Sequence, residues 1–141
     1  MLILGRFSEE RKVVLDALRK ELRQHNYVPI MFDFEATTNQ TLVETVTTLA
    51  RMARFVIADL TDARSVLQEL QSFVPVLPSV AVRLLKKRSA LEYGMLDFFR
   101  RYPWVVTGTY EYENDKEVIA SIKENTIGPA ESKVKELRQR N

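Results

Sequence analysis

The residue best placed for chemistry is Glu69. It follows a short apolar run, residues 55–58, that reads as a buried strand, and it lies among Val66, Leu67, Leu70, Phe73 and Val74, which recur at helical spacing. Its neighbours one turn away, Ser65, Val66 and Phe73, set the carboxylate at the edge of the apolar face, where partial loss of water would raise its pKa. A carboxylate in that setting can do chemistry. The competing interpretation is a solvated carboxylate on a helix surface, the commonest fate of a helical glutamate.

Such a residue acts only if the fold brings a substrate to it, and the chain reads as alternating strands and helices. Residues 1–5 form the first strand. Ser8 is the expected cap of a helix with Glu9 and Glu10 in its first turn and Val14, Leu15, Leu18 and Leu22 inward. Residues 28–33 make a second strand, with Pro29 near its start, where a missing donor does least harm. A polar loop, residues 37–41, offers Thr37, Thr38 or Asn39 as the next cap, and Leu42, Val46 and Leu49 line the helix that follows. The third strand spans 55–59. The helix of Glu69 comes next, then a fourth strand at 79–85, with Pro75 and Pro78 punctuating between them. Ser89-Ala-Leu-Glu92 is a capping box for a helix with Leu91, Met95, Phe98 and Phe99 inward, which also accounts for Glu92, the rival acid. Residues 104–107 read as the fifth strand. Asn114-Asp-Lys-Glu117 caps a helix bearing Val118, Ile119 and Ile122, and from Pro129 a charged helix with few apolar anchors and a frayed end is expected. The alternation implies right-handed crossovers and a parallel sheet covered on both faces. The expected class is α/β, a flavodoxin-like doubly wound five-stranded parallel sheet in a single domain over residues 1–141.

In that strand order a ligand sits at the carboxyl ends of the first and third strands. Those ends carry Gly5-Arg6-Phe7 and Asp59-Leu60-Thr61, and the second strand adds Asp33-Phe34-Glu35; with Ser65 these residues are expected to converge near Glu69. Gly5 would let the backbone approach a ligand, Arg6 could hold a phosphate or carboxylate through its planar fork, and Phe7 and Phe34 could stack on a ring. Against this, Gly5 could simply end its strand, Arg6 be solvated and both phenylalanines be core. Asp59 could equally cap the turn after its strand.

The segment Ile57-Ala-Asp-Leu-Thr-Asp62 followed by Ser65-Val-Leu-Gln-Glu-Leu70 resembles a stretch of the nucleoside 2-deoxyribosyltransferase-like and Toll/interleukin-1 receptor (TIR)-like superfamily, over about fifteen residues. It departs from that pattern at Gln71 and Ser72, where glycine and small residues often follow, and at Leu67-Gln68, where an aromatic often precedes. In the resembled families the glutamate before the leucine cleaves an N-glycosidic bond, which implies that role for Glu69. Breaking the bond from ribose to nicotinamide builds positive charge at C1′, and a carboxylate beneath it stabilises the oxocarbenium-like transition state. Because nicotinamide is a good leaving group, one glutamate suffices without metal or triad. In the resembled TIR-like enzymes the substrate is NAD, consumed in cell defence or cell death; in the deoxyribosyltransferases the glutamate is a nucleophile on a deoxynucleoside. The resemblance thus implies NAD as a substrate with no cofactor, and homo-oligomers through TIR-like contacts.

Composition narrows the field. At 141 residues, with 45% hydrophobic and 28% charged residues, the chain is an ordinary globular domain able to bury a core. A net charge of +2 is too small for a nucleic-acid binder. With no cysteine there is no disulfide, thiol nucleophile or Cys-based zinc site, which fits a cytoplasmic location, and the one histidine, His25, belongs to the end of the first helix. No apolar stretch suits a membrane span. A start on Met1-Leu-Ile-Leu-Gly5 as a buried strand suggests a domain excised from a longer polypeptide.

Two other functions compete. A self-association module would use Arg83, Lys86, Lys87, Arg88, Arg100 and Arg101 against Glu111, Glu113 and Asp115 as complementary surfaces. A phosphoacceptor receiver would use Asp59, yet it would also need an acidic pair after strand one and a lysine after strand five, where this chain has Gly5-Arg6 and Thr107-Gly108. With glycine only at 5, 94, 108 and 128, P-loop and dinucleotide fingerprints are absent.

Overall fold

A computed structural model describes residues 1–5, 9–33, 41–61, 70–71, 74–76, 78–88, 99 and 101–139. Strands β1 (Leu2–Gly5), β2 (Ile30–Asp33), β3 (Phe55–Asp59), β4 (Ala81–Lys87) and β5 (Tyr110–Tyr112) form one sheet in the order β2-β1-β3-β4-β5. Every adjacent pair is parallel, with Leu4 opposite both Phe32 and Ala58, Ile57 opposite Arg83 and Lys86 opposite Glu111. This is the flavodoxin-like doubly wound arrangement the alternation predicts.

Side chains along a strand point to alternate faces, and the two cores follow that period. Leu2, Leu4, Val56, Ala58, Val82 and Leu84 share one core with Val46 and Ala50 of helix α2 (Thr41–Met52), together with Leu70, Val74 and Phe99. Ile3, Phe55, Ile57, Ala81 and Leu85 point the other way, onto Val14, Leu15, Leu18 and Leu22 of helix α1 (Glu9–Gln24). That second core also takes in Val118 of helix α3 (Asp115–Ala120) and Ala130, Val134 and Leu137 of helix α4 (Gly128–Gln139).

Helix ends are closed by local chemistry. Just past α1, Asn26 takes a left-handed φ of 68°, Tyr27 N donates to Leu22 O at 3.0 Å and Asn26 N donates to Arg23 O at 3.1 Å, a Schellman closure in which His25 is the last residue before the turn. At α3 the expected cap is present: Glu117 N donates to Asn114 Oδ1 at 2.9 Å, and Glu117 Oε2 accepts from Glu113 N at 3.0 Å. The caps expected at Ser8, at 37–39 and at Ser89 lie outside the described residues.

Three expectations need correction. Residues 104–107 are not the fifth strand. Val105 makes a single bridge to Val82, confined between Pro103 and a turn at Gly108, whose φ of 79° suits only a residue without a side-chain penalty. Pairing resumes at Tyr110. The fourth strand runs two residues further than its apolar letters suggest, because Lys86 is buried at its end and Lys87 still pairs. The terminal helix is not poorly anchored either. Between α3 and α4 lies a π-helical turn, Ile122–Ile127, so the segment from Asp115 to Gln139 is one helical run with a surplus residue in its middle.

The π turn meets a buried arginine. Arg83 of β4 donates from Nε to Asn125 O at 2.9 Å and from Nη1 to Gly108 O at 2.6 Å, with its guanidinium over the Tyr110 ring. Pro129 has no N–H to offer the carbonyl four residues before it, and that carbonyl is Asn125's. Arg83 supplies the missing donor. Burial pulls the Arg83 pKa down from its usual value.

Candidate functional site

All five strands point the same way, so their carboxyl ends line one edge of the sheet. Gly5 ends β1 opposite Asp33 of β2, and Asp59 ends β3 on the other side of β1. The first connection leaves β1 toward β2 and the second crosses to β3, so the strand order reverses between β1 and β3, where doubly wound folds open a crevice. The backbone of Gly5, Asp33, Asp59 and Thr61 is thereby brought to one edge. Glu69, Arg6, Phe7, Phe34 and Ser65 lie outside the described residues. Leu70, next to Glu69 in the chain, is helical and fully buried in the α2-side core.

Asp59 is buried, at 3% exposure, and its carboxylate organises the exit from β3. Thr61 N donates to Asp59 Oδ1 at 3.0 Å, which is the turn-capping alternative weighed for this residue. Tyr112 reaches across from β5, its hydroxyl donating toward both Asp59 oxygens at 3.4 Å and lying 3.2 Å from Thr61 Oγ1. Thr61 Oγ1 in turn accepts from Lys87 N at 2.9 Å, while Leu60 N donates to Leu85 O at 2.8 Å. One carboxylate, two hydroxyls and the strand backbone thus tie the ends of β3, β4 and β5 together.

Charges flank this network in pairs. Lys86, with a side chain 3% exposed, has Nζ 3.4 Å from Glu111 Oε1, and Arg88 Nη1 bonds Glu113 Oε1. Of the basic residues weighed for complementary surfaces, three are engaged within the chain, and Arg100 lies outside the described residues. Lys86 and Arg88 meet their acidic partners within the chain, and Arg83 is buried beneath the π turn. Sequence reasoning also missed Tyr112. Its signal was the alternation Tyr110-Glu-Tyr112-Glu113, period two, at the correct distance beyond β4.

The opposite edge carries a different cluster. Arg54, just before β3, donates from Nε and Nη2 to the two oxygens of Glu131 on α4, each at 2.7 Å, and Tyr27 donates to Glu131 Oε1 at 2.6 Å. The guanidinium holds Glu131 below the usual carboxylate range, while burial and the Glu131 carboxylate push Tyr27 up to about 12. Beside them the Met1 ammonium donates to Val28 O at 3.1 Å.

Among the described residues no group of His, Asp and Glu could hold a metal ion, and no helix is long and apolar enough to cross a membrane.

No protein-family model and no curated protein matches the chain. Solved structures do. A diflavin flavoprotein A3 from Nostoc sp. superposes with a TM-score of 0.68 at 11% identity, covering 99% of this chain and 96% of that one. A TIR domain of the RPS4 and RRS1 TIR domain heterodimer gives 0.66 at 13% identity, over 92% of this chain and 97% of that one. A de novo designed Rossmann 2x3 fold protein gives 0.54 at 11%, over 92% and 90%. At these identities the likeness establishes the fold: a flavodoxin-like sheet of the kind that TIR domains share.

Proposed function

We propose that this chain is a TIR-like N-glycosidase that cleaves NAD, or a related nucleotide, at the bond between ribose and base, with Glu69 as the carboxylate facing the developing charge at C1′. The observation that carries the reading is the strand order. It sets the carboxyl ends of β1 and β3 side by side at the reversal point, and the chain that leaves β3 through Asp59 and Thr61 is the one that bears Glu69. Likeness to a TIR domain supports the same choice. Gly5 admits the substrate backbone-close, Arg6 takes a phosphate, Phe7 and Phe34 stack on the base, and Asp33, Asp59, Thr61 and Ser65 frame the ribose side. No cofactor is needed, because the substrate carries its own leaving group. The chain acts in the cytoplasm, where NAD is available and cysteine-free domains are at home.

A second reading, a non-catalytic TIR-like assembly module, is favoured by one observation: the similar TIR structure is a heterodimer. Self-association and catalysis are compatible, since assembly can complete a site.

The test is nicotinamide release from NAD by the purified chain over a wide range of protein concentration, alongside Glu69→Gln. Release by the wild type, with rate per chain rising with concentration and lost in the variant, supports an assembled glycosidase. Inertness at every concentration, with sedimentation showing oligomers, hands the protein to the assembly reading. Equal activity in both proteins removes Glu69 from the mechanism.

A further inference from the structure

We infer that Tyr112 is a positioning residue for the reaction, acting through Asp59 and Thr61 rather than on the substrate; the inference rests on the glycosidase reading of this edge.

Tyr112 sits in a three-residue edge strand, 53 residues away from Asp59 in sequence, yet its ring is buried at 1% exposure. Its hydroxyl meets two groups on the chain leaving β3: the Asp59 carboxylate, at 3.4 Å from both oxygens, and Thr61 Oγ1 at 3.2 Å. Each of those groups is also a fixed point for backbone. Asp59 Oδ1 accepts from Thr61 N at 3.0 Å, and Thr61 Oγ1 accepts from Lys87 N at 2.9 Å. The phenol therefore sets both the direction in which Thr61 leaves β3 and the distance from that exit to the end of β4. Strand β5 is itself held to β4 by the register Lys86 opposite Glu111 and by the Lys86–Glu111 pair, so the hydroxyl is presented from a braced strand rather than a free loop. Thr61 is the last described residue before the segment that contains Glu69, so the constraint acts at the base of that segment. A carboxylate that must lie under C1′ is sensitive to where its segment begins, and a displacement of about 1 Å from a remote change costs on the order of a hundredfold in rate.

The test compares Tyr112→Phe, Thr61→Val and Thr61→Ser with wild type by amide hydrogen exchange, and Tyr112→Phe with wild type by steady-state NAD cleavage. In Tyr112→Phe, exchange at the Thr61 and Lys87 amides should rise by roughly five- to tenfold, the loss of one ordinary hydrogen bond. kcat should fall about 10- to 100-fold while KM stays within about twofold, since substrate contacts remain. Thr61→Val should raise exchange at the Lys87 amide likewise, and Thr61→Ser, which keeps the hydroxyl, should bring it back to the wild-type value; because Thr61 also frames the ribose side, only Tyr112→Phe is read through kcat and KM. Unchanged exchange at both amides overturns the inference whatever the activity. So does faster exchange with an unchanged kcat in an active enzyme, because a merely structural contact would give that result. If the wild type does not cleave NAD at all, the glycosidase reading fails and takes the catalytic part of the inference with it, while exchange still decides whether Tyr112 fixes the exit from β3.

Discussion

At the amino-terminal edge of the sheet, Arg54 and Glu131 meet as a two-point ion pair still partly open to water, with side chains 38% and 21% exposed, and Tyr27 adds a third partner. At the carboxyl edge, Asp59 is closed off from solvent and held by a backbone amide and the Tyr112 hydroxyl. The first arrangement joins layers, since Glu131 comes from α4 and Arg54 and Tyr27 flank strands. The second joins strands to one another and fixes where a chain departs. A brace between layers can be made of exposed charges because small errors in its geometry cost little. A departure point that aims the following segment cannot, and there the chain uses buried, directional contacts.

The sharpest way to break this comparison is activity. Glu69→Gln should lower nicotinamide release by about two to three powers of ten, the usual loss when a group stabilising transition-state charge is removed, whereas Glu131→Gln should leave kcat within about twofold. Comparable losses in both would mean the two edges are not functionally distinct. Next comes stability at the carboxyl edge. Asp59→Ala removes the acceptor of the Thr61 amide and two contacts of the Tyr112 hydroxyl, and should cost about 2–3 kcal/mol in urea melts.

Glu131→Gln should cost less, about 1 kcal/mol, because the Arg54 partner is more than a third exposed and solvent screens the pair. Its pH dependence has a definite sign. The Glu131 pKa is lowered on folding from 4.5, mainly by Arg54, so its stabilisation is present above 4.5 and is lost as pH falls through the folded value. The gap in melting temperature between wild type and Glu131→Gln should therefore narrow below pH 4.5; a gap constant to pH 2 would contradict the assignment. Tyr27 works at the other extreme. Its pKa is raised from 10.0 to about 12, so the neutral phenol stabilises the fold below pH 10 and that contribution disappears between 10 and 12. Tyr27→Phe should flatten the alkaline part of the stability profile. The smallest effect belongs to Arg88→Gln: with side chains 58% and 56% exposed, the Arg88–Glu113 pair should be worth no more than about 0.5 kcal/mol, and a larger drop in melting would show that the carboxyl edge also leans on surface charge.

How much of this was legible in the sequence depended on whether the deciding contacts were local. Residues 55–59 could be read to the residue because a run buried on both faces is continuously apolar, here Phe55 to Ala58, and the charged residues Arg54 and Asp59 mark its two ends. The Schellman turn and the Asn114 cap use residues within six positions, so the cap was readable from type and spacing. Asp59 was half legible: its turn-forming role is local, its partnership with Tyr112 is not. β5 was misplaced because Trp104-Val-Val106 is more apolar than Tyr110-Glu-Tyr112, and only the partner strand reveals that the chain between them turns away at Gly108. The anchors of α4 were hidden for a geometric reason. Counting onward from Val118 and Ile122 in an α-helical period leads to positions 129, 133 and 136, which are Pro, Lys and Glu, whereas the residues that face the sheet are Ala130, Val134 and Leu137. The π turn delays the stripe by one residue.

That delay makes three positions a single mutational unit. A π turn is equivalent to one inserted residue, so deleting one residue from 122–127 would restore a plain helix with the same stripe against the sheet. The deletion alone would drive the Pro129 ring into the preceding turn and leave Arg83 without the Asn125 carbonyl. Deletion, Pro129→Ala and Arg83→Met should each be harmful singly and largely forgiven together, a non-additivity far above that of independent sites. Lineages that shorten this helix are therefore expected to change all three positions in concert, whereas those that keep the extra residue must keep the arginine as well.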